Sequence, residues 1–344
     1  MLDEQLVCAV ERATGADRAN VQMILRAPLE IQSNALYDVW VDGRHLIAKQ
    51  YLKADELTSA PAREYAALQL LAPYDIAPQP VYYDPTIAPV VLYEYVEGEM
   101  WDRRRPSPQQ LATLADLWLT MHAMPTVDMW LSRGWERTPA EVLESFRTSF
   151  DRYAAWCTAH FPPGKRISKE CHELLAQAES IFQELSTYAP QLCFYRADPR
   201  FANVITRPDG RLTYIDWEDS GLRDPARDLA DMITHPNQED LLSFDEWQPF
   251  LQPYLAERMT VDPTIQQRMH LYCAIFPLFW LAIFLKMGIG LVEKGEIQGW
   301  QINGLPANLR LQRYLARAIA WPATDFTDQL ERLSLLKFFP LMDG

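Results

Sequence analysis

Residues 192–219 read LCFYRADPRFANVITRPDGRLTYIDWED, and this stretch decides how the rest of the chain is read. Arg207-Pro208-Asp209-Gly210 is turn chemistry: proline presets the second turn position and glycine tolerates positive φ. Val204–Thr206 and Leu212–Ile215 are therefore expected to pair as antiparallel strands. A two-residue turn sets Asn203 opposite Tyr214 and diagonal to Asp216, roughly 7–8 Å away at the Cα level. A three-residue turn shifts that register by one. In either register an amide oxygen and a carboxylate stand together at the open end of a hairpin, with Asp198 facing the same mouth from the preceding loop. Oxygen donors of this kind suit Mg²⁺, which keeps its remaining positions for water and phosphate. Each residue alone has a plainer reading, since Asp-Pro and Asn form turns and an aspartate caps a strand. Their joint placement favours chemistry.

Working outward, the whole chain of 344 residues is long enough for about two domains. With 49% hydrophobic, 12% aromatic and 23% charged residues it has the composition of a folded protein. The formal charge of −14 argues against a general nucleic-acid or anionic-membrane binder. Cys8, Cys157, Cys171, Cys193 and Cys273 are widely spaced and form no CxxC, which points to neither a disulfide framework nor a zinc site and implies a reduced, cytoplasmic setting. The N-terminus carries no signal-peptide pattern. Leu271–Leu285 is apolar but interrupted by Pro277 and shorter than a spanning helix, so it reads as a core helix of a soluble protein.

On the N-terminal side a short helix is expected within residues 1–20. A hairpin follows, with strands Ala35–Val41 and His45–Leu52 joined by Asp42-Gly43. The strand period puts Ile47, Lys49 and Tyr51 on one face, so Lys49 is half-covered and needs a partner. Glu64 is the candidate: it lies on or beside the apolar stripe of a helix through Ala62–Ala72, where an unpaired carboxylate is costly. Strands at Val81–Tyr83 and Val90–Val96 lead to Glu94-Tyr95-Val96-Glu97-Gly98, a domain boundary that splits the chain into 1–97 and 98–344. Helices then start at Ser107-Pro108 and at the capping box Thr138-Pro139-Ala140-Glu141, and a third runs through Ser168–Tyr188. His122 reads as a core histidine. After the hairpin, Asp224-Pro225 opens a further helix. From Trp217 to Glu246 nine acids against two arginines give a local charge of −7, expected as a solvated surface. Asn308–Ala320 is expected to be helical.

With these residues in place the chain resembles the aminoglycoside phosphotransferase and choline kinase group of small-molecule kinases. The motifs that carry the likeness are Asp198-x-x-x-x-Asn203, Ile215-Asp216-Trp217-Glu218-Asp219 after a hairpin, and Gly221-x-x-Asp224-Pro225-x-x-Asp228-Leu229-Ala230. The resemblance implies an α+β, protein-kinase-like two-lobe fold, with a small antiparallel-sheet N-lobe and a large, mainly helical C-lobe. It implies Asp198 as catalytic base, Asn203 and Asp216 as Mg²⁺ ligands and Lys49 as a phosphate contact oriented by Glu64. It further implies Ser33 and Asn34 at the phosphates and Glu94, Tyr95 and Val96 beside the base of ATP or another nucleoside triphosphate. The expected reaction is phosphorylation of a hydroxyl on a small molecule, with aminoglycosides, choline-like amines, amino alcohols and sugars as candidates. The rival is a catalytically silent module that binds nucleotide or a partner protein. Two positions depart from the family pattern. Arg196-Ala197-Asp198 stands where His-Gly-Asp is usual, and no glycine lies between Gly15 and Gly43, around the expected phosphate loop.

Overall fold

The computed structural model describes residues 2–26, 34–52, 60–85, 89–102, 104–125, 139–160, 164–238, 241–243, 245–294, 301–302 and 305–306. Ser33, Thr138 and 308–320, to which a phosphate contact, a helix cap and a helix are ascribed above, lie outside them. The chain divides into two compact units, one made of residues 1–136, 192–225 and 241–257, the other of 137–191, 226–240 and 258–344.

The first unit is built on a five-stranded antiparallel sheet. Its strands are β1 (Val21–Leu25), β2 (Asn34–Val41), β3 (Arg44–Tyr51), β4 (Pro80–Asp84) and β5 (Val90–Glu94), in the order β1-β2-β3-β5-β4. Asp42 and Gly43 both take positive φ, 48° and 77°, as a tight hairpin turn that follows strand twist requires. Alternation then divides the sheet into two faces. One face turns Val39, Val41, Leu46, Ala48, Val90 and Leu92 towards Leu6, Ala9 and Val10 of the first helix, α1 (Leu2–Thr14), and all nine are buried. The opposite face carries Lys49, and there the helix α2 (Ala60–Leu71) brings Glu64 onto it. The strand expected through Val96 stops at Glu94. The Tyr95 amide still donates to His45 O, and the chain then leaves the sheet.

Beyond the sheet, β6 (Glu99–Met100) pairs with β8 (Val204–Thr206), which pairs with β9 (Leu212–Tyr214). Gly98 permits this: with φ at 153°, a Cβ there would fall 2.4 Å from the Thr206 carbonyl oxygen. The β8–β9 connection is a three-residue turn. Arg207 N–H donates to Arg211 O, Gly210 N–H donates to Arg207 O, and Gly210 takes φ 83°, which together make a type I turn closed by a left-handed glycine. Val204 therefore faces Tyr214, and Ile215 N–H donates to Asn203 O. Upstream, β7 (Cys193–Tyr195) pairs with β10 (Gly221–Arg223), so the two ends of the loop–hairpin stretch are tied together. Helix α3 (Pro108–His122) starts at a reciprocal Ser107–Gln110 capping box. It buries Trp118, whose indole N–H donates to Tyr214 OH, and His122, whose Nδ1 lies 2.5 Å from Tyr254 OH. His122 is a core residue, as expected.

The second unit is helical. Its helices α4 (Pro139–His160) and α5 (Gly164–Leu185) pack on each other, with Phe146 6.1 Å from Phe182. The long apolar helix after them, counted below as α8 (Ile265–Lys294), joins them, with Phe279 6.1 Å from Phe146. Its Ile265–Phe284 stretch is long and apolar enough to cross a membrane and is 61% buried within the protein, the pattern of a core helix. Helix α6 (Pro225–Thr234) lies almost wholly in this unit, and α7 (Gln248–Arg258) almost wholly in the first. The expectation of a solvated acidic surface after the hairpin is corrected in part: Asp224, Asp228 and Asp231 are buried, whereas Asp245 is exposed.

Candidate active site

The site lies within the first unit, and Lys49 is its centre. β3 presents the lysine from a fully buried run, and its ammonium meets three carboxylates: Asp216 Oδ1 at 2.5 Å, Glu64 Oε2 at 2.7 Å and Glu218 Oε2 at 3.0 Å. The side chains of Lys49 and Glu64 are 4% and 1% exposed, so the two charges face each other away from water. Glu64 is held further by Tyr51 OH and by the Trp217 N–H, 3.3 Å from Oε1. Burial alone would lower the lysine pKa, but Asp216 and Glu64 more than reverse this and hold it well above its ordinary value. Lys49 is therefore a permanent cation.

Asp198 and Asp216 both sit on loops with left-handed backbone, φ 55° and 68°. Aspartate tolerates this region better than most residues, and outliers of this kind gather at working sites. Asp216 follows the hairpin directly. Burial pushes its pKa up, while Lys49, Arg196 and Arg200 pull it down further, to about 2. Asn203 closes the short helical turn Phe201–Asn203, and its amide lies 3.4 Å from Asp216 Oδ2. With its amide reversed, the Asn203 oxygen would face Arg196 and Arg200. After Asp216 the chain buries Trp217 fully and leaves Glu218 half-buried. Burial raises the Glu218 pKa; Lys49 opposes this, Asp216 and Glu64 add to it, and the result is about 7.

Arg196, the residue that stands where the family has histidine, is explained by its contacts. Its guanidinium is almost wholly buried. It donates from Nε to Ile215 O at 2.9 Å and from Nη1 to Ala197 O at 3.2 Å and to Asp198 O. Nη2 lies 3.6 Å from Asp216 Oδ2, and the group sits 5.3 Å over the Tyr214 ring. One planar fork thus binds the loop of Asp198 to the loop of Asp216. Arg200 reaches the same two aspartates by side-chain contacts, with Nε 3.0 Å from Asp198 Oδ2 and Nη2 3.8 Å from Asp216 Oδ2.

Of the residues singled out in the sequence, Glu64 and Asp216 both contact Lys49, Asn203 contacts Asp216, and Asp198 adjoins them through Arg196 and Arg200. Asn34 joins from β2, donating to Glu218 Oε2 at 2.6 Å. Glu94, Tyr95 and Val96 lie at the end of β5. Glu94 pairs with Arg44 at 2.6 Å, and Tyr95 stacks on His45 with ring centroids 4.0 Å apart. Sequence reasoning gave no role to Glu218, Arg196 or Arg200, although Glu218 stands in the Ile215–Asp219 motif and Arg196 was noted as a departure from the family pattern. The nearness of Glu218 to Asp216 in that motif was the available signal for it. Glu64, Asp216 and Glu218 each offer an oxygen within 4.8 Å of the others, but it is the Lys49 ammonium that these carboxylates hold; the oxygen donors suited to a hard divalent cation are the Asp216 carboxylate, ionised at all physiological pH values, and the side-chain amide of Asn203 beside it.

A mainly antiparallel sheet carrying a buried lysine–glutamate pair, with a loop–hairpin bearing Asp198, Asn203 and Asp216, is the arrangement of kinase-like phosphotransferases. The chain belongs to the phosphotransferase enzyme family (APH), whose sequence profile matches residues 25–263. Solved structures with the same fold include a choline/ethanolamine kinase family protein from Mesorhizobium loti, at 18% identity and TM-score 0.63 over 98% of this chain and 99% of that one. Choline kinase LicA from Streptococcus pneumoniae matches at 18% identity and TM-score 0.64 over 93% and 99%. Spectinomycin phosphotransferase APH(9)-Ia, solved with ADP and spectinomycin, matches at 15% identity and TM-score 0.59 over 97% and 93%. No curated protein matches the sequence. The α+β, kinase-like fold class expected from the sequence is the one found.

Proposed function

We propose that the chain is a kinase, dependent on a nucleoside triphosphate and Mg²⁺, that phosphorylates a hydroxyl of a small molecule. The observation that carries this reading is the convergence on Lys49 of Glu64 from α2 and Asp216 from the hairpin, with Asn203 against the same aspartate. When bound, the nucleotide supplies the transferable phosphoryl and the ion neutralises phosphate charge. Asn203 and Asp216 would hold the ion. Lys49, oriented by Glu64, would bind phosphate oxygen, Ser33 and Asn34 would serve the phosphates, and Glu94, Tyr95 and Val96 would serve the base. Asp198 takes the proton of the acceptor hydroxyl on its carboxylate, a role that adds about 10²–10⁴-fold to such reactions. The backbone at 97/98, between sheet and helices, divides the two lobes.

Family membership supports phosphoryl transfer, and the names of the structural neighbours make choline-like amines, amino alcohols and aminoglycosides the first acceptors to try, with sugars after them. The reading also places the protein in the cytoplasm, as a soluble enzyme whose partner is a small molecule and neither nucleic acid nor membrane. Purified protein with Mg²⁺-ATP and a panel of these acceptors is expected to release ADP in step with a product heavier by one phosphoryl group. Asp198→Asn is expected to lower that turnover by at least about a hundredfold. Nucleotide binding with no turnover on any acceptor would favour the silent-module reading.

A further inference from the structure

Three cations surround Asp216, and they differ in what they are free to do. Lys49 is committed to three carboxylates and its side chain is 4% exposed. Arg196 spends its fork on three backbone carbonyls and is 2% exposed. Arg200 has a side chain that is 42% exposed, and it touches one carboxylate oxygen on each side, Asp198 Oδ2 and Asp216 Oδ2. Its backbone is fixed, because Arg200 N–H donates to Asp198 O at 2.8 Å and Arg200 O accepts from Asn203 N–H at 3.0 Å. The guanidinium therefore stands in the gap between the base and the metal-binding carboxylate, open to solvent and anchored at its root.

That gap is the place a transferring phosphoryl must cross if Asp198 activates the acceptor and Asp216 serves the phosphate side. We infer that Arg200 is a catalytic residue that binds the equatorial oxygens of the phosphoryl group in the transition state. This rests on the kinase reading above. In the step it would serve, the acceptor oxygen forms a bond to the γ-phosphorus as the bond from that phosphorus to the bridging oxygen breaks. The acceptor proton passes to Asp198, and the nucleoside diphosphate departs with the electron pair of the broken bond. Charge on the three equatorial oxygens meets a planar fork whose pairs with Asp198 and Asp216 can open because the side chain is half in water. A buried arginine such as Arg196 could not move this way without unmaking the loop.

The test needs no knowledge of the acceptor. Binding of Mg²⁺-ADP is compared with binding of Mg²⁺-ADP plus aluminium fluoride, a planar mimic of the phosphoryl in flight, in the wild type and in Arg200→Gln and Arg200→Lys. The wild type is expected to bind the fluoroaluminate complex more tightly than Mg²⁺-ADP alone. Arg200→Gln is expected to lose about a hundredfold of that preference while its affinity for Mg²⁺-ADP changes by no more than about twofold. Arg200→Lys, a point charge without the fork, is expected to recover only part. A preference unchanged in Arg200→Gln would overturn the assignment of Arg200 and leave the kinase reading standing. A wild type that binds no Mg²⁺-nucleotide would overturn both. Should Arg200→Gln unfold, full preference in Arg200→Lys would overturn the need for the fork.

Discussion

The two halves of the site are built by opposite means. Lys49 and Glu64 stand on a strand and a helix with ordinary backbone, deep in the protein, and pair there at 2.7 Å. Asp198 and Asp216 stand on loops in left-handed conformations, partly open to solvent, and are held in register by the guanidinium of Arg196. The difference teaches where precision comes from. Regular structure fixes a residue through its neighbours' hydrogen bonds, whereas a loop needs a dedicated brace.

Breaking the buried half should have the largest effect on stability. Lys49→Met leaves Glu64 without its cation and takes from Asp216 the nearest of its three, and removing one partner of a buried pair costs about 3–5 kcal/mol. Chemical denaturation is expected to show this loss, and Lys49→Met with Glu64→Gln is expected to recover part of it. Full additivity of the two substitutions would mean that Lys49 and Glu64 are not coupled.

The junction of the halves has a pH signature. The Glu218 pKa rises from an ordinary 4.5 to about 7. A carboxyl raised on folding stabilises the protein below the unfolded value, and that contribution disappears as pH climbs through the folded value. In the nucleotide- and metal-free protein, wild-type stability relative to Glu218→Gln should therefore fall by about 3 kcal/mol between pH 4.5 and pH 7. Asp216 acts in the other direction at lower pH, since its depressed pKa gives stability above its ordinary 3.8 that is lost towards pH 2. Denaturation curves at closely spaced pH values separate the two windows, and a flat difference for Glu218→Gln would remove Glu218 from the junction.

The loop half should give a smaller change. Arg196→Lys keeps the charge and loses the fork that spans Ile215 O, Ala197 O and Asp198 O, at an expected cost of about 2 kcal/mol in unfolding free energy. Hydrogen exchange should rise at the amides of residues 197–203 and 215–217 and stay unchanged in β3. Equal loosening of β3 would show that the two halves are one cooperative element.

Much of this site was legible in the residues themselves. The hairpin at Arg207–Gly210 followed from turn chemistry, which is local, and Lys49 followed from strand period and the need of a buried cation for a partner. The register was left open between two turns because Pro-Asp-Gly suits either, and the Ile215–Asn203 bond decided it. Glu218 and Asn34, 184 residues apart, gave no sign that they touch. The acidic run after Trp217 was misjudged in part for a related reason: composition counts charges, but only packing says which of them lie inside, as Asp224, Asp228 and Asp231 do.

What the sequence determined by itself was therefore the set of local pieces: the strands, the turns, the helix that carries Glu64 and the loop that carries Asp198 and Asn203. Periodicity and backbone preference act over a few residues and are written there. Only the tertiary structure decided the use of Arg196. A charged side chain in a short loop reads as solvated until the fold buries it, and burial turned it into the brace for two strained loops. The reason is energetic, since a guanidinium removed from water must find acceptors, and the carbonyls of two distant loops were the ones within reach.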